Sequence, residues 1–412
     1  MLHYLLECLF RGHGLSRFVP LTGIFYKFRF TFAHSFRYMT LHIVSFDIPY
    51  PANYGGVIVI FNQIKALHAL GVKVILHCYQ YGDRTPQPEL ANYCHEVYYY
   101  KRSRSIFWQL SFYPFIMQTR MSRSLVKRLK KDNFPILFEG IHTAGLVWKR
   151  SLRHRQKLVR MHNVEWMYYE NLWKLTSSLV PLEKLYYFLE SIRLQRTEPY
   201  VLLHADEIIA ISTNDEAYFK QHKANTHYIP AFHPNTFVES QLGRGEYVLF
   251  HGKLSVPDNE RAALWLVEEV IAGMEVPFII AGMEPSQRLK DAIRPHDHIK
   301  LVENPDDRTM NDLIRNAHIN LLISFQNAGI KLKLINSLFR GRFCIVNDSM
   351  VSGTGLEKLC YVRNSAATMR QTIEAILNAP FEQNRVDERR AHLETEYSNL
   401  ENAKKLISLI KF

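Results

Sequence analysis

LHIVSFDIPYPANYGGVIVIFNQIKALHALGVKVILHCY, residues 41–79 of a 412-residue chain, reads in order as strand, loop, helix and strand. Leu41–Phe46 is a short apolar run, Ile58–Leu70 carries a helical pattern, and Val72–Tyr79 is apolar again. Gly71 stands where a helix wants its C-cap glycine. Two strands joined by a crossover helix make one parallel βαβ unit. The alternation continues outward, with strands predicted at Val97–Tyr100, Ile136–Phe138, Lys157–Met161 and Glu207–Ile211, and a long helix at Leu182–Leu203. Ser212 with Asp215 makes a capping-box pattern that starts a helix toward His222.

A turn-rich connection, Ile229–Gly245 with Pro230, Pro234, Gly243 and Gly245, then interrupts the pattern and marks a domain boundary. Strands resume at Tyr247–Phe250, Pro277–Ala281, His298–Val302, Ile319–Phe325 and Phe343–Asn347. Helices separate them at Asp258–Ile271, Met310–Ala317 (capped by Thr309 with Asp312) and Ile330–Phe339, and helical patterns from Ala366 finish the chain. The expected fold class is α/β, two doubly wound Rossmann-like domains facing a cleft, at residues 39–235 and 236–412. The last helix is a candidate to pack back on the first domain. Ligands of such sheets bind at the carboxyl ends of the strands.

An apolar content of 47% against 22% charged residues excludes global disorder. Cys8, Cys78, Cys94, Cys344 and Cys360 include no CxxC pair, which argues against a disulfide framework or a cysteine zinc site and for a reducing, cytoplasmic compartment. With no long uncharged apolar run and no secretory signal pattern, a soluble or peripheral protein is expected. The net charge of +12 is concentrated: residues 101–160 carry fifteen basic side chains against Asp132 and Glu139, which is +13. Such a stretch attracts phosphates, whether of an anionic membrane surface, a substrate or nucleic acid. No nucleic-acid motif accompanies it, so nucleic acid is not an expected partner. Residues 1–38 interleave Phe10, Phe18, Phe25, Phe28, Phe30, Phe32 and Phe36 with five basic residues. They read either as a membrane-surface segment or as an extension ahead of a natural start at Met39.

Four places suit chemistry. The loop Asp47–Gly56 ends in Gly55 and Gly56 before a helix, where backbone approaches a ligand closely and a helix N-terminus favours negative charge. It lacks the dinucleotide fingerprint, so no nicotinamide or flavin is indicated. His162 follows an apolar strand, which points a ring into the cleft; taken alone, a packed and satisfied histidine is the ordinary reading. Gly252 and Lys253 follow the strand at 247–250 and suit a diphosphate. In the run 328–336 a glycine precedes a basic helical turn, so that Gly329, Lys333, Asn336 and Arg340 fall on one polar face. No HExxH and no pair of aspartates two apart occurs, so neither a metal site nor the usual acidic holder of a metal-bound diphosphate is expected.

Four segments together resemble the GT-B glycosyltransferases of family 4, the group-1 sugar transferases of bacterial polysaccharide assembly. They are PYPANYGG (49–56), RMHNVEWMYYENL (160–172), FHGKLSVPDN (250–259) and GIKLKLINSLFRGRFCIVN (329–347). The resemblance spans roughly residues 39–412. It implies a metal-independent transferase that moves a hexose, with retention, from a nucleotide diphosphate sugar to a lipid-linked or saccharide acceptor, without a further cofactor. The donor would lie on the second domain and the acceptor on the first. By the same resemblance, Gly55 and Gly56 lie near both substrates, His162 near the reacting sugar, and Lys253 replaces an arginine on the donor diphosphate. Gly252, Gly329, Lys333 and Asn336 complete the implied donor set. The second basic residue of the donor loop is absent among Pro257, Asp258 and Asn259. The family's glutamate pair reads Ala328 and Asn336, so a GT-B protein without transfer, serving as a partner subunit, is the alternative. An epimerase is a further alternative.

Overall fold

The apolar runs become inner strands of two parallel sheets. The computed structural model describes residues 39–103, 105, 109, 111–176, 180–326 and 329–411. The expectations for residues 1–38 and for Ala328 fall outside the described residues, and both sheets belong to the unit that begins at Thr40.

The first sheet contains β1 (Thr40–Ser45), β2 (Lys73–Gln80), β3 (Glu96–Lys101), β4 (Ile136–Glu139), β5 (Lys157–Met161), β6 (Glu207–Ala210) and β7 (Thr226–Tyr228). Their order is β3-β2-β1-β4-β5-β6-β7, all parallel. The second contains β8 (Val248–His251), β9 (Phe278–Gly282), β10 (Ile299–Glu303), β11 (Ile319–Leu322), β12 (Phe343–Val346) and β13 (Tyr361–Val362). Its order is β10-β9-β8-β11-β12-β13, again parallel. Helices cover the sheets, which is why the central strands are buried along their length and mostly apolar rather than alternating. Val44, Phe138, Val159 and Ile208 share a core with Leu194 and Val201 of helix Pro181–His204. Phe250, Phe278, Leu321 and Ile345 share another with Leu334 and Leu338 of helix Leu332–Arg340. In each sheet the strand order reverses beside the opening strand, between β1 and β4 and between β8 and β11. The crevice of a doubly wound sheet opens at such a point.

Local signals set the boundaries. Helix Gly55–Ala69 closes in a Schellman turn: Gly71, at φ +80°, donates its N–H to His68 O, and Val72 N–H reaches Leu67 O. Ser212 Oγ accepts the Asp215 N–H and caps helix Thr213–Lys220, as expected. Three readings are corrected. Helix Asp307–Asn316 is capped by Asp306, whose carboxylate accepts the Thr309 N–H at 2.7 Å, and not by Thr309; an anion one turn earlier also suits the positive helix end. The helix expected from Ile330 begins at Leu332, leaving Lys331 extended at its N-cap. Residues 101–160 do not form one basic surface, because Arg120, Arg155, Lys157 and Arg160 are buried. Arg160 donates to Ile229 O and Pro230 O and lies 4.8 Å from the Phe232 ring.

The chain leaves the first sheet after β7 and returns to it at its end. His233 Nε2 donates to Tyr397 O, while the Asn399 side chain bonds both the N–H and the carbonyl of His233. Helix Asn399–Ser408 then lies against helix Gly55–Ala69, and the Gln156 amide holds Leu409 O and Lys411 N–H. Among the described residues, no helix is long and apolar enough to cross a membrane.

Candidate active site

A cavity of ≈ 680 Å³ opens between the carboxyl ends of the two sheets. Its first wall begins in the loop after β1. Asp47 accepts hydrogen bonds from Tyr54 Oη (2.5 Å) and the Ile48 N–H (2.8 Å), which fold the loop back on itself. Gly55 and Gly56 both line the cavity but for different reasons. A Cβ on Gly55 would meet nothing within 4 Å, whereas one on Gly56 would lie 2.5 Å from the Phe46 ring. Gly55 therefore offers open backbone, and Gly56 makes room for Phe46.

His162 follows β5 and also lines the cavity. Its Nε2 lies 2.9 Å from Glu139 Oε2, and Glu139 Oε1 accepts from Gln63 Nε2 at 2.6 Å. Glu139 ends β4 and is wholly buried, so the carboxylate orients the ring from behind; Phe46 packs on the ring edge at 5.5 Å. A carboxylate on Nε2–H leaves Nδ1 as the nitrogen for other partners. A second histidine, His142, faces Phe46 at 5.1 Å and approaches Glu165 at 3.6 Å. Burial, and then Arg120 and His162, push His142 well below the usual histidine range, so it is neutral. Burial raises Glu165 to about 7, against the Asn163 amide that favours its charge.

The opposite wall comes from the loop after β11: Gln326, Gly329, Ile330, Lys331 and Leu332. Gly329, at φ +67°, sits so close to the turn after β5 that a Cβ there would collide with Asn163 Oδ1. Lys331 donates to Gly329 O at 3.0 Å. Burial lowers its ammonium to about 8, while Asp258 and Asp215 hold it up. Asp258, at the start of helix Pro257–Trp265, accepts from Ser324 Oγ and the Phe325 N–H and so pins this loop.

Gly55, Gly56, His162 and Gly329 therefore meet in one cavity. Gly252, Lys253 and Lys333 form a neighbouring cluster around Asn259. Lys333 Nζ donates to Asn259 Oδ1 at 2.9 Å, and Asn259 Nδ2 donates to Lys253 O at 2.9 Å. Gly252 leaves space for the Asn259 amide, and the Lys253 ammonium reaches Glu284 at 3.4 Å. Lys333 packs over Phe250, and burial lowers it to about 8. Asn336 lies one turn farther on, between Asn311 and Arg340. Sequence reading did not single out Glu139, His142 or Arg120, and it placed Asp47 and Lys331 within candidate stretches without giving either a role; Lys331 precedes the helix start at Leu332 and lines the cavity. Among the described residues, no group of three His, Cys, Asp or Glu side chains is placed to hold a metal ion.

No family model matches the chain. Over 329 residues it is 27% identical to an uncharacterized 44.6 kDa protein in the cps region of Klebsiella pneumoniae, covering 76% of this chain and 84% of that protein. Among solved structures it is similar to Anabaena Alr3699/HepE in complex with UDP and glucose, at TM-score 0.60 and 11% identity over 90% of this chain and 99% of that one. It is also similar to TarM, at 0.65 and 10% over 90% and 98%, and to a glycosyltransferase from Rickettsia africae, at 0.57 and 13% over 90% and 97%. The chain has the GT-B fold.

Proposed function

We propose that this chain transfers a hexose from a nucleoside diphosphate sugar to a saccharide or lipid-linked acceptor, with retention and without a metal. The observation that carries the reading is the cavity at the facing switch points, with His162 on one wall and the Lys331 loop on the other. Likeness to a fold seen with UDP and glucose supports the donor class. The bond from the anomeric carbon to the diphosphate breaks and its electrons leave with the phosphate oxygen. The acceptor hydroxyl attacks from the same face and passes its proton to that departing oxygen. Lys331, with the Lys333 and Lys253 cluster behind it, offsets the growing phosphate charge in the place of a metal. His162, steadied by Glu139, positions the sugar through Nδ1.

A thermal-shift series with uridine, guanosine and adenosine diphosphate sugars checks donor binding, since a ligand held by the folded form raises its melting temperature. His162→Ala and Lys331→Ala are expected to lower turnover by about a hundredfold each, a typical loss for a positioning or charge-stabilising group. Unchanged turnover in both would remove them from the site.

The exposed part of the basic stretch, with Lys127, Lys130, Lys131, Lys149, Arg150 and Arg153, is proposed to place the first domain on an anionic membrane face. Binding to vesicles that ignored both anionic lipid and salt would reject this.

A further inference from the structure

The first wall of the cavity holds positive charge that, among the described residues, no ion pair neutralises; Asp47 and Glu165 act on it only from a distance. Arg120 is 5% exposed and lines the cavity. Its Nε donates to Phe46 O at 2.9 Å and one terminal nitrogen to Ile116 O at 2.8 Å, both neutral carbonyls. Arg102, just past β3, lines the same cavity and donates from Nε to Thr119 Oγ1 at 2.8 Å. The guanidinium carbons of Arg102 and Arg120 lie 4.9 and 5.9 Å from one ring, that of half-exposed Tyr81.

Among the described residues, neither arginine forms an ion pair, and the carboxylates nearby are engaged elsewhere. Asp47 is held by Tyr54, the Ile48 N–H and Arg84. Glu190 accepts the Ile116 N–H and pairs with Arg193. Glu165 faces His142 and is driven toward its neutral form by burial. Burial and the neighbouring Arg102 push Arg120 down to about 10, the direction of an under-compensated cation. A buried guanidinium with like charge beside it costs free energy that a bound anion removes, and its planar fork matches a carboxylate or phosphate.

On the reading of this cleft as a sugar-transfer site, we propose that Arg102 and Arg120 form a subsite for an anionic group on the acceptor sugar, with Tyr81 against the sugar's apolar face. The acceptor is then an acidic sugar, bearing either a carboxylate or a phosphate ester. Phe46 links the subsite to the reacting centre, since its carbonyl fixes Arg120 and its ring packs on His162.

Calorimetric binding of glucuronate, glucose 6-phosphate, glucose and inorganic phosphate to the full chain, with UDP titrated in parallel, tests this. An acidic sugar should bind at least about tenfold tighter than glucose, the strength of one charge-assisted contact. Whether glucuronate or glucose 6-phosphate shows the gain tells carboxylate from phosphate. Arg120→Gln also removes the support of two backbone carbonyls, so Arg102→Gln, which gives up one hydroxyl bond and its contacts with the Tyr81 and Phe115 rings but no backbone bond, carries the test; it should abolish the preference. A chain that binds UDP yet treats charged and neutral sugars alike overturns the subsite and leaves sugar transfer standing. A preference that survives Arg102→Gln, phosphate binding as tightly as the sugar phosphate, or competition between UDP and the acidic sugar also overturns it. Absence of any nucleotide binding instead rejects the transfer reading itself.

Discussion

Glu139 shows how one side chain sets the geometry of the cleft. It is wholly buried, and its two oxygens are shared between Gln63 and His162, so its charge is compensated by hydrogen bonds rather than by water. Glu139→Gln keeps an acceptor for Gln63 but presents an amide N–H to His162 Nε2, forcing the other tautomer and moving the ring proton to Nδ1. Turnover should drop at least about tenfold with donor-nucleotide affinity nearly unchanged, the signature of lost positioning. Steady-state kinetics beside calorimetry with whichever nucleoside diphosphate binds checks this. Gly329→Ala should be worse for the second wall, because φ +67° is strained for any Cβ and Asn163 occupies its space. Strain of about 1 kcal/mol or more would displace the loop and the Lys331 amine with it, to be read as lost nucleotide-sugar binding at near-normal melting temperature. Gly55, Gly56 and His162 could be placed on the cavity wall because each adjoins a strand end or helix start, and Gly329 because a glycine ahead of a basic run stands out although the helix begins only at Leu332. Arg120 and His142 could not be: Arg120 lies between two short helices ahead of β4 and His142 in the short helical turn after it, where no sustained periodic pattern tells which way a side chain points.

Among the elements, three helices pack buried carboxylates toward one another: Glu165 on Glu165–Leu175, Glu198 on Pro181–His204 and Asp215 on Thr213–Lys220. Burial raises Glu198 to about 7, against the Tyr218 hydroxyl bond, and Glu165 and Asp215 push it the same way. The folded chain therefore holds a proton there that the unfolded chain has lost, and stability falls as pH climbs from the ordinary carboxylate range through about 7. Buried His77, His233 and His251 are pushed down and act oppositely below about pH 6.5, so the wild-type profile alone is ambiguous. The variant isolates the effect. Glu198→Gln keeps the Tyr218 contact and should gain on the order of 2 kcal/mol over wild type on going from pH 5.5 to pH 8, measured by urea unfolding at both values. A constant difference would show that Glu198 is ionised throughout. Most elements were legible, since inner strands of covered parallel sheets are unbroken apolar runs. β7 and β13 escaped because strands of three and two residues at a sheet edge carry too little pattern. The cap at Asp306 escaped because Asp306, Asp307 and Thr309 compete for it and only the backbone decides.

At the scale of the molecule, the last helix brings the end of the chain back from the second sheet onto the first. Leu406 and Ile407 are buried on this helix, which lies against helix Gly55–Ala69. Leu406→Ala should cost about 2–5 kcal/mol if the contact belongs to the folding unit as a whole. A single cooperative transition shifted to lower temperature would bear that out; a first-sheet transition left untouched would show the helix to be an independent appendage. The division into two parallel sheets was readable from the alternation of strands and helices, whereas the facing of the two sheets depends on contacts far apart in the chain, such as His233 with Tyr397. His233 and Tyr397 make the most telling of those contacts, because they join the outward and homeward passages of the chain to each other. The bond fastens the segment that leaves β7 to the turn that ends helix Gln383–Glu396, so the two crossings of the chain between the sheets are tied into a single double-stranded seam.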